Sequence, residues 1–247
     1  MAKGRFLTAE WNNLVMLNYG VDPEVLKPYI PAGTTLDLYE GKALVSMVGF
    51  MFNNTSVLGV KWPFHINFEE VNLRFYVQYD NGVQVKRGAV FISEIVPKHI
   101  IAYVANALYK EHYRRMPMRH SFTMDDANHT QYLYEWKLNG KWNKLSATAD
   151  NKLTTIQPGS AEEFIFEHYW GYNPWSDTVT MEYQVEHPSW QIGKVRDYVF
   201  DADIAALYGD DFVPYLSAEP VSAFYARGSE IAVRIGDKLS FPPGGNK

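Results

Sequence analysis

Glu69-Glu70-Val71-Asn72-Leu73-Arg74-Phe75-Tyr76-Val77-Gln78-Tyr79, then Asp80-Asn81-Gly82, then the run Val83 to Val96: this stretch decides the fold. Successive side chains of an extended strand point to opposite faces. Val71, Leu73, Phe75 and Val77 therefore share one face, and Asn72, Arg74 and Tyr76 share the other. Asn-Gly supplies the positive φ angles of a tight hairpin turn. The stretch predicts two antiparallel strands, Glu69–Tyr79 and Val83–Val96. Its polar face has two readings. It meets solvent and carries a cross-strand ion pair, or it lines a polar pocket.

Outward from this hairpin, the chain alternates strand signals with a few helix signals. Upstream, Phe6 to Tyr19 reads as a strand, and Asp22-Pro23-Glu24 starts a short helix with a capping Asp and Pro at the first position. Leu36 and Leu38, the turn Glu40-Gly41 and the apolar run Ala43 to Phe52 read as a hairpin, and Asn53 to Pro63 as a loop. Downstream, Ile100, Ile101, Val104, Ala105 and Leu108 fall at helical spacing, which predicts an amphipathic helix from Lys98 to Glu111. A hairpin follows at Gln131–Leu138 and Lys141–Ala149 through Asn139-Gly140. Ser160 and Glu163 form a capping-box pattern that starts a helix running through Phe164, Ile165 and His168. Tyr183–Glu186, Val195–Phe200, Val221–Tyr225 and Ile231–Ile235 read as further strands, and Ala202–Tyr208 as a short helix.

No linker, repeat or low-complexity tract divides the chain, so residues 1–247 read as one domain with a frayed tail over 241–247. Strands joined by hairpins, with two or three inserted helices, define an α+β class built on a curved, mostly antiparallel sheet system. The regular strand–helix alternation of a parallel doubly wound sheet is missing. Aromatic residues make up 15 % of the chain, a composition that suits pleated, half-buried surfaces.

Charge and composition exclude several function classes. A net charge of −5 disfavours a nucleic-acid partner, which needs a concentrated basic face. With no cysteine, disulfides, thiolate catalysis and cysteine-based zinc sites are ruled out. The seven histidines show no metal-ligand spacing, so no metal is expected. No nucleotide-binding loop, dinucleotide fingerprint or nucleophile elbow is present, and no cofactor is expected. The N-terminal residues do not read as a signal peptide, and no apolar run approaches the length of a membrane span. A cytoplasmic location is the expectation.

Three groups of residues carry candidate chemistry. Glu70, Asn72 and Arg74 alternate on one strand face. If that face is interior, Arg74 must be paired and hydrogen-bonded, by a carboxylate ligand or by an acid such as Glu70, because an unpaired buried charge is costly. Glu70 lies roughly 13 Å along the strand, so a ligand, water or cross-strand residue would have to complete the shell. His187-Pro188-Ser189-Trp190 sets a titratable group beside an aromatic, which suits a pocket mouth or an ordinary turn over a buried Trp. The basic stretch Tyr113 to His120 offers Arg119 and His120 on a loop, either to a small anion or to solvent.

These same segments carry a resemblance. Val71 to Val77, Arg87 to Ser93, the run ending in Met116-Pro117-Met118, and His187-Pro188-Ser189-Trp190 resemble in order and spacing the bacterial YqjF-like family of uncharacterised proteins. That family is grouped with the acetoacetate decarboxylase-like fold. The resemblance covers roughly Trp11 to Ile235. It implies curved antiparallel sheets forming a cone or open barrel around a pocket. The decarboxylases use a Schiff-base lysine beside a second lysine. The matching stretch here is Pro117-Met118-Arg119, where Met118 cannot form an imine and Arg119 keeps only the charge. The resemblance therefore implies a pocket for a small anionic ligand, with Arg74, Asn72, Tyr76, Met118, Arg119 and Trp190 around it. The alternative is a non-imine enzyme acting on a small organic acid, with Glu70, His120 or His187 moving a proton. A homo-oligomer is left open.

Overall fold

The computed structural model describes residues 4–98, 112–125 and 128–242. The hairpin at the heart of the sequence is present as β4 (Phe68–Asp80) and β5 (Val85–Val96), antiparallel, with Arg74 opposite Phe91 and Asn72 opposite Glu94. The turn is tied by Asp80 and Asn81, whose carboxylate and amide oxygens accept from the backbone N–H groups of Gly82, Val83 and Gln84. On its other edge β4 pairs with β3 (Ala43–Val57), and β3 pairs with β1 (Arg5–Val21).

The sheet continues from β1 to β14 (Ser222–Arg234), which pairs both with β1 and with β12 (Val179–Glu186). From β12 the ladder runs to β11 (Trp170–Ser176), and β11 meets β5 in a short parallel contact at Trp170–Gly88 and Gly171–Ala89. The pairing thus returns to its start: β1, β3, β4, β5, β11, β12 and β14 hydrogen-bond in a closed circuit. A side chain at Gly88 would meet the Trp170 carbonyl oxygen at 2.6 Å, so glycine is what lets β5 and β11 approach. Beside this contact the Lys86 ammonium lies 2.7 Å from Glu182 and over the Trp170 ring, while the Tyr172 hydroxyl donates to Glu182.

A second layer covers the circuit from outside. From β14 the ladder passes to β13 (Gln191–Asp201), β9 (Lys141–Asp150), β8 (His129–Leu138) and β7 (Met118–Met124), while the short strands β2 (Thr35–Leu36), β10 (Thr154–Thr155) and β15 (Asp237–Ser240) pair with β4, β13 and β12 respectively. Tyr132, Tyr134, Trp136, Leu145 and Ala147 of this layer pack with Val15, Leu17, Met47, Val71, Leu73 and Phe75 in one core cluster. Gly49 of β3 packs against the Tyr134 ring, where a Cβ would come within 2.8 Å of it. The opposite face of the same strands sends Leu14, Met16, Val48, Phe50, Phe52, Phe68 and Tyr76 into a second cluster. Phe164, Ile165 and Phe166 of the helix Ala161–Phe166 plug into that inner cluster.

Among the described residues the α-helices are four and short, Pro23–Leu26, Ala161–Phe166, Ile204–Tyr208 and Val213–Leu216, with 3-10 turns at Lys27–Tyr29 and Asp210–Phe212. Their caps follow the sequence signals. Asp22 accepts from the Glu24 N–H, Ser160 from Glu163 and Asp203 from Ala206. The helix expected from Lys98 to Glu111 lies outside the described residues apart from Lys98, and the tail is described only to residue 242. None of the described helices is long and apolar enough to cross a membrane.

The structure departs from the sequence reading in several places. The loop expected over 53–63 is strand as far as Val57, because Thr55 and Ser56 are buried and Ser56 and Val57 pair with Thr8 and Leu7. The helix begun at Ser160 ends at Phe166, so His168 stands outside it in the extended approach to β11. Residues 115–120 are not one loop: β6 (Tyr113–Arg115) pairs with β5, and Met118, Arg119 and His120 open β7. The two strands expected at Val221–Tyr225 and Ile231–Ile235 merge into the single strand β14, which starts at Ser222, ends at Arg234 and passes Trp11 at Gly228. There the φ of 84° and the Trp11 carbonyl, 1.8 Å from where a Cβ would sit, leave room only for glycine.

Candidate functional site

Between the inner face of the closed circuit and the end of β3 lies a cavity of about 470 Å³. Its walls come from Trp11 and Leu14 of β1, Val48, Phe50, Phe52 and Val57 of β3, Phe68 of β4, and Tyr183 and Val185 of β12. The turn beyond β3 forms its lip. Leu58, Val60 and Trp62 line the cavity and are also 64 %, 51 % and 51 % exposed.

Polar side chains gather on one patch of this wall. Glu70, Asn72 and Arg74 project into the cavity from β4, as Glu94 does from β5 and Tyr113 from β6. Register explains the grouping: Asn72 stands opposite Glu94, and Glu94 opposite Tyr113, in one row across three strands. Ser93 faces Leu73 while Phe91 faces Arg74, so Ile92 is an extra residue in β5. This bulge lets both Phe91 and Glu94 reach the same cavity.

Glu70 is the acceptor at the centre of the patch. Asn72 Nδ2 donates to its Oε1 and the Tyr113 hydroxyl to its Oε2, each at 2.9 Å. Glu70, Asn72 and Glu94 are each only 2 % exposed. The Asn72 bond fixes which way the amide points, leaving Oδ1 as a buried acceptor without a hydrogen-bond partner. Arg74 is half-buried, its Nε has no acceptor, and it forms no ion pair among the described residues. Its guanidinium carbon lies 5.7 Å from the centre of the Tyr76 ring. Trp11 Nε1 and Thr55 Oγ1, elsewhere on the wall, also lack partners. No group of three or more candidate metal ligands occurs among the described residues.

Behind the patch, Tyr76 links the site to a buried polar cluster. Its hydroxyl lies 2.6 Å from Ser46 Oγ, which donates to Asn18. Its ring centre lies 4.5 Å from that of His168, the two planes tilted by 39°. Asp37 accepts from Arg87 Nε at 2.6 Å and from His168 Nε2 at 3.0 Å. Burial alone would raise the Asp37 carboxyl, but the hydrogen bonds from His168 and Arg87 outweigh it and hold it below the ordinary value. Burial pushes His168 the other way, down to about 4, with Asp37 opposing only in part. At neutral pH the cluster is therefore an aspartate with a neutral imidazole donating to it.

The structure brings together only some of the residues marked in the sequence. Glu70, Asn72 and Arg74 line the cavity; Tyr76 sits just behind it. Trp190 and His187 stack on each other at 4.3 Å and back onto Trp11, whose ring centre is 6.3 Å from that of Trp190. Neither lines the cavity. The Trp190 indole N–H donates to Ser229, and burial lowers the His187 pKa, with Arg74 adding to the shift. Met118, Arg119 and His120 are elsewhere, on β7. Arg119 forms a bidentate pair with Glu135 over the Trp142 ring, His120 Nδ1 lies 2.6 Å from Glu69, and Met118 packs on the outer core. From the basic stretch it is Tyr113 that reaches the cavity. Glu94 and Tyr113 were missed by the sequence reading. Glu94 had a usable signal, being the lone acid in the apolar run Val90-Phe91-Ile92-Ser93-Glu94-Ile95-Val96.

A family model described as an uncharacterized conserved protein, DUF2071, matches residues 8–230. The chain belongs to this family. It is 34 % identical over 84 residues to the uncharacterized protein YqjF of Bacillus subtilis (strain 168), a match covering 34 % of this chain and 33 % of that protein's length. Three solved structures are similar over almost the whole chain. The enduracididine biosynthesis enzyme MppR with HEPES buffer bound has a TM-score of 0.66 at 14 % identity, covering 97 % of this chain and 89 % of that one. The acetoacetate decarboxylase of Legionella pneumophila has 0.63 at 12 %, covering 97 % and 88 %. An acetoacetate decarboxylase-like enzyme from Sphingomonas wittichii RW1 has 0.63 at 13 %, covering 97 % and 95 %. At these identities the likeness establishes the fold, which is acetoacetate decarboxylase-like.

The His168 shift sets a pH dependence. The native imidazole binds its proton near pH 4 and the unfolded one near 6.5, so between these values the unfolded chain holds more protons. Stability is full above pH 6.5 and falls as pH drops toward 4, by on the order of 3 kcal/mol for this group. Urea midpoints measured from pH 4 to 7.5 check it: His168→Gln should flatten the slope in that window relative to wild type.

Proposed function

We propose that this protein binds a small organic anion, a carboxylate in the first instance, in the cavity of the closed strand circuit, with Arg74 as its anchor. One observation carries the reading. Arg74 brings a cation with an unbonded Nε into a largely apolar cavity and has no ion-pair partner among the described residues. Its Nε has lost water without gaining an acceptor, and the planar fork of a guanidinium matches a carboxylate. Asn72, with its open acceptor, belongs to the same site, and Tyr76 supports Arg74 from behind. Met118, Arg119 and His120 have no part in it. The circuit from β1 round to β14 supports reading the sheet as an open, conical barrel around this ligand.

In the expected test, thermal melting is followed with carboxylates and with their neutral amides. At a ligand concentration about a hundred times Kd, a binding carboxylate should raise Tm by about 5 °C or more. The amide should not, and Arg74→Met should abolish the rise while itself melting within a few degrees of wild type. If Arg74→Met collapses the fold and no anion stabilises the wild type, Arg74 is a structural residue and the reading is lost.

The site works without an imine. The described lining contains no lysine, and a thioether at Met118 cannot form one. Acetoacetate with borohydride should therefore leave the intact mass unchanged. A substrate-sized adduct on Lys86, Lys144 or Lys152 would show that a lysine does serve.

A second reading is favoured by the Glu70 carboxylate, held at 2.9 Å by both Asn72 and Tyr113 beside the second buried acid Glu94. Such a group, facing the carbon next to an Arg74-bound carboxylate, is equipped to move a proton. The signature is solvent deuterium entering the α-position of a bound acid, seen by proton NMR and lost in Glu70→Gln. No exchange above the buffer rate would leave binding without catalysis.

A further inference from the structure

We propose that the ligand is an amphipathic hydroxy acid: its carboxylate on Arg74, its hydroxyl on Asn72, and an apolar tail of medium length running along the aromatic wall to the lip. This rests on the anion-site reading and names the chemical class that the same site takes.

The head group follows from valence. Arg74 Nε is a donor without an acceptor, and Asn72 Oδ1 is an acceptor without a donor. They belong to residues two apart on one strand face, so their Cα atoms are about 7 Å apart. A bare carboxylate offers only acceptors. It would answer Arg74 and leave the buried amide oxygen of Asn72 unsatisfied. A hydroxyl near the carboxylate donates to Asn72 Oδ1 while the carboxylate accepts from Arg74. Glu70 cannot take the hydroxyl's place, because it is itself an acceptor of the Asn72 and Tyr113 protons.

The tail follows from the walls. Trp11, Phe50, Phe52, Phe68 and Val57 enclose most of a cavity of about 470 Å³, a size typical of sites for ligands much larger than a three- or four-carbon acid. A short acid would leave this apolar surface against trapped water. The exit is mostly apolar, with His65 its one titratable side chain among the described residues. Leu58, Val60 and Trp62 face both the cavity and solvent, so the end of a tail entering or leaving remains on apolar surface. Each buried methylene adds to affinity, whereas a polar tail would lose its hydration there.

Isothermal titration of the full chain with 3-hydroxydecanoate, decanoate and 3-hydroxybutyrate tests the proposal. The expected order is 3-hydroxydecanoate tightest, decanoate about tenfold weaker for the lost hydrogen bond, and 3-hydroxybutyrate at least a hundredfold weaker for the lost tail. Asn72→Leu should bring the two ten-carbon acids to equal affinity. Because that variant is buried and can fail to fold, the three-ligand series on the wild type stands alone. Equal affinity for 3-hydroxybutyrate and 3-hydroxydecanoate overturns the tail, and equal affinity for decanoate and 3-hydroxydecanoate overturns the hydroxyl contact. Either result leaves the anion site itself standing. Binding of none of the three, together with no stabilisation by any other carboxylate, removes the anion site and this inference with it.

Discussion

Strand β4 has to serve two interiors at once, and the rest of the molecule is arranged around that constraint. Its odd-numbered residues Val71, Leu73, Phe75 and Val77 are fully buried in the core between the two layers. Its even-numbered residues Glu70, Asn72 and Arg74 face the cavity. Because the side-chain period is two, a one-residue slip would carry three polar groups, two of them charged when ionised, into the packed core and four apolar ones into the cavity. Such a slip would forfeit several buried side chains, each contributing about 1.5–3 kcal/mol. The cost of misplacing Arg74 comes on top of that. Register is therefore fixed from both faces, and the polar row is held to the cavity by the same force that builds the outer core.

The neighbours of β4 complete the row. Pairing alone places Glu94 and Tyr113 beside Asn72, and the bulge at Ile92 turns Phe91 inward as well. Closure through β11, β12 and β14 then supplies the far wall, including Tyr183 and Val185. The narrow point of the circuit is the two-residue parallel contact of β5 with β11, where glycine allows the approach and Lys86–Glu182 ties the strands together. The Asp37–Arg87–His168 cluster stiffens the region behind Tyr76. Pre-placed groups of this kind reduce what a ligand must order on binding.

The hairpins at Asp80-Asn81-Gly82 and Asn139-Gly140, the caps at Asp22 and Ser160, and the two faces of β4 were legible in the sequence because each is set by neighbours within a few residues. Which face of β4 met a cavity was not, since alternation alone describes solvent and pocket equally well. Arg119 and His120 looked available because their partners, Glu135 and Glu69, arrive from other strands. The aromatic wall was hidden for a different reason: Phe50, Phe52 and Phe68 in apolar strands read as ordinary core, and only closure of the circuit leaves space between them. His168 lay beyond the helix that was expected to carry it, because that helix ends at Phe166, two residues earlier.

A crystal structure with an ω-bromo medium-chain carboxylate tests the central claim most directly, since anomalous scattering locates the tail and the difference density locates the head. The account predicts the carboxylate within hydrogen-bond distance of the Arg74 guanidinium and the bromine between Phe52 and the lip at Leu58–Trp62. Bromine found only on the outer surface, or a carboxylate bound in the cavity with Arg74 turned away from it, would contradict the account.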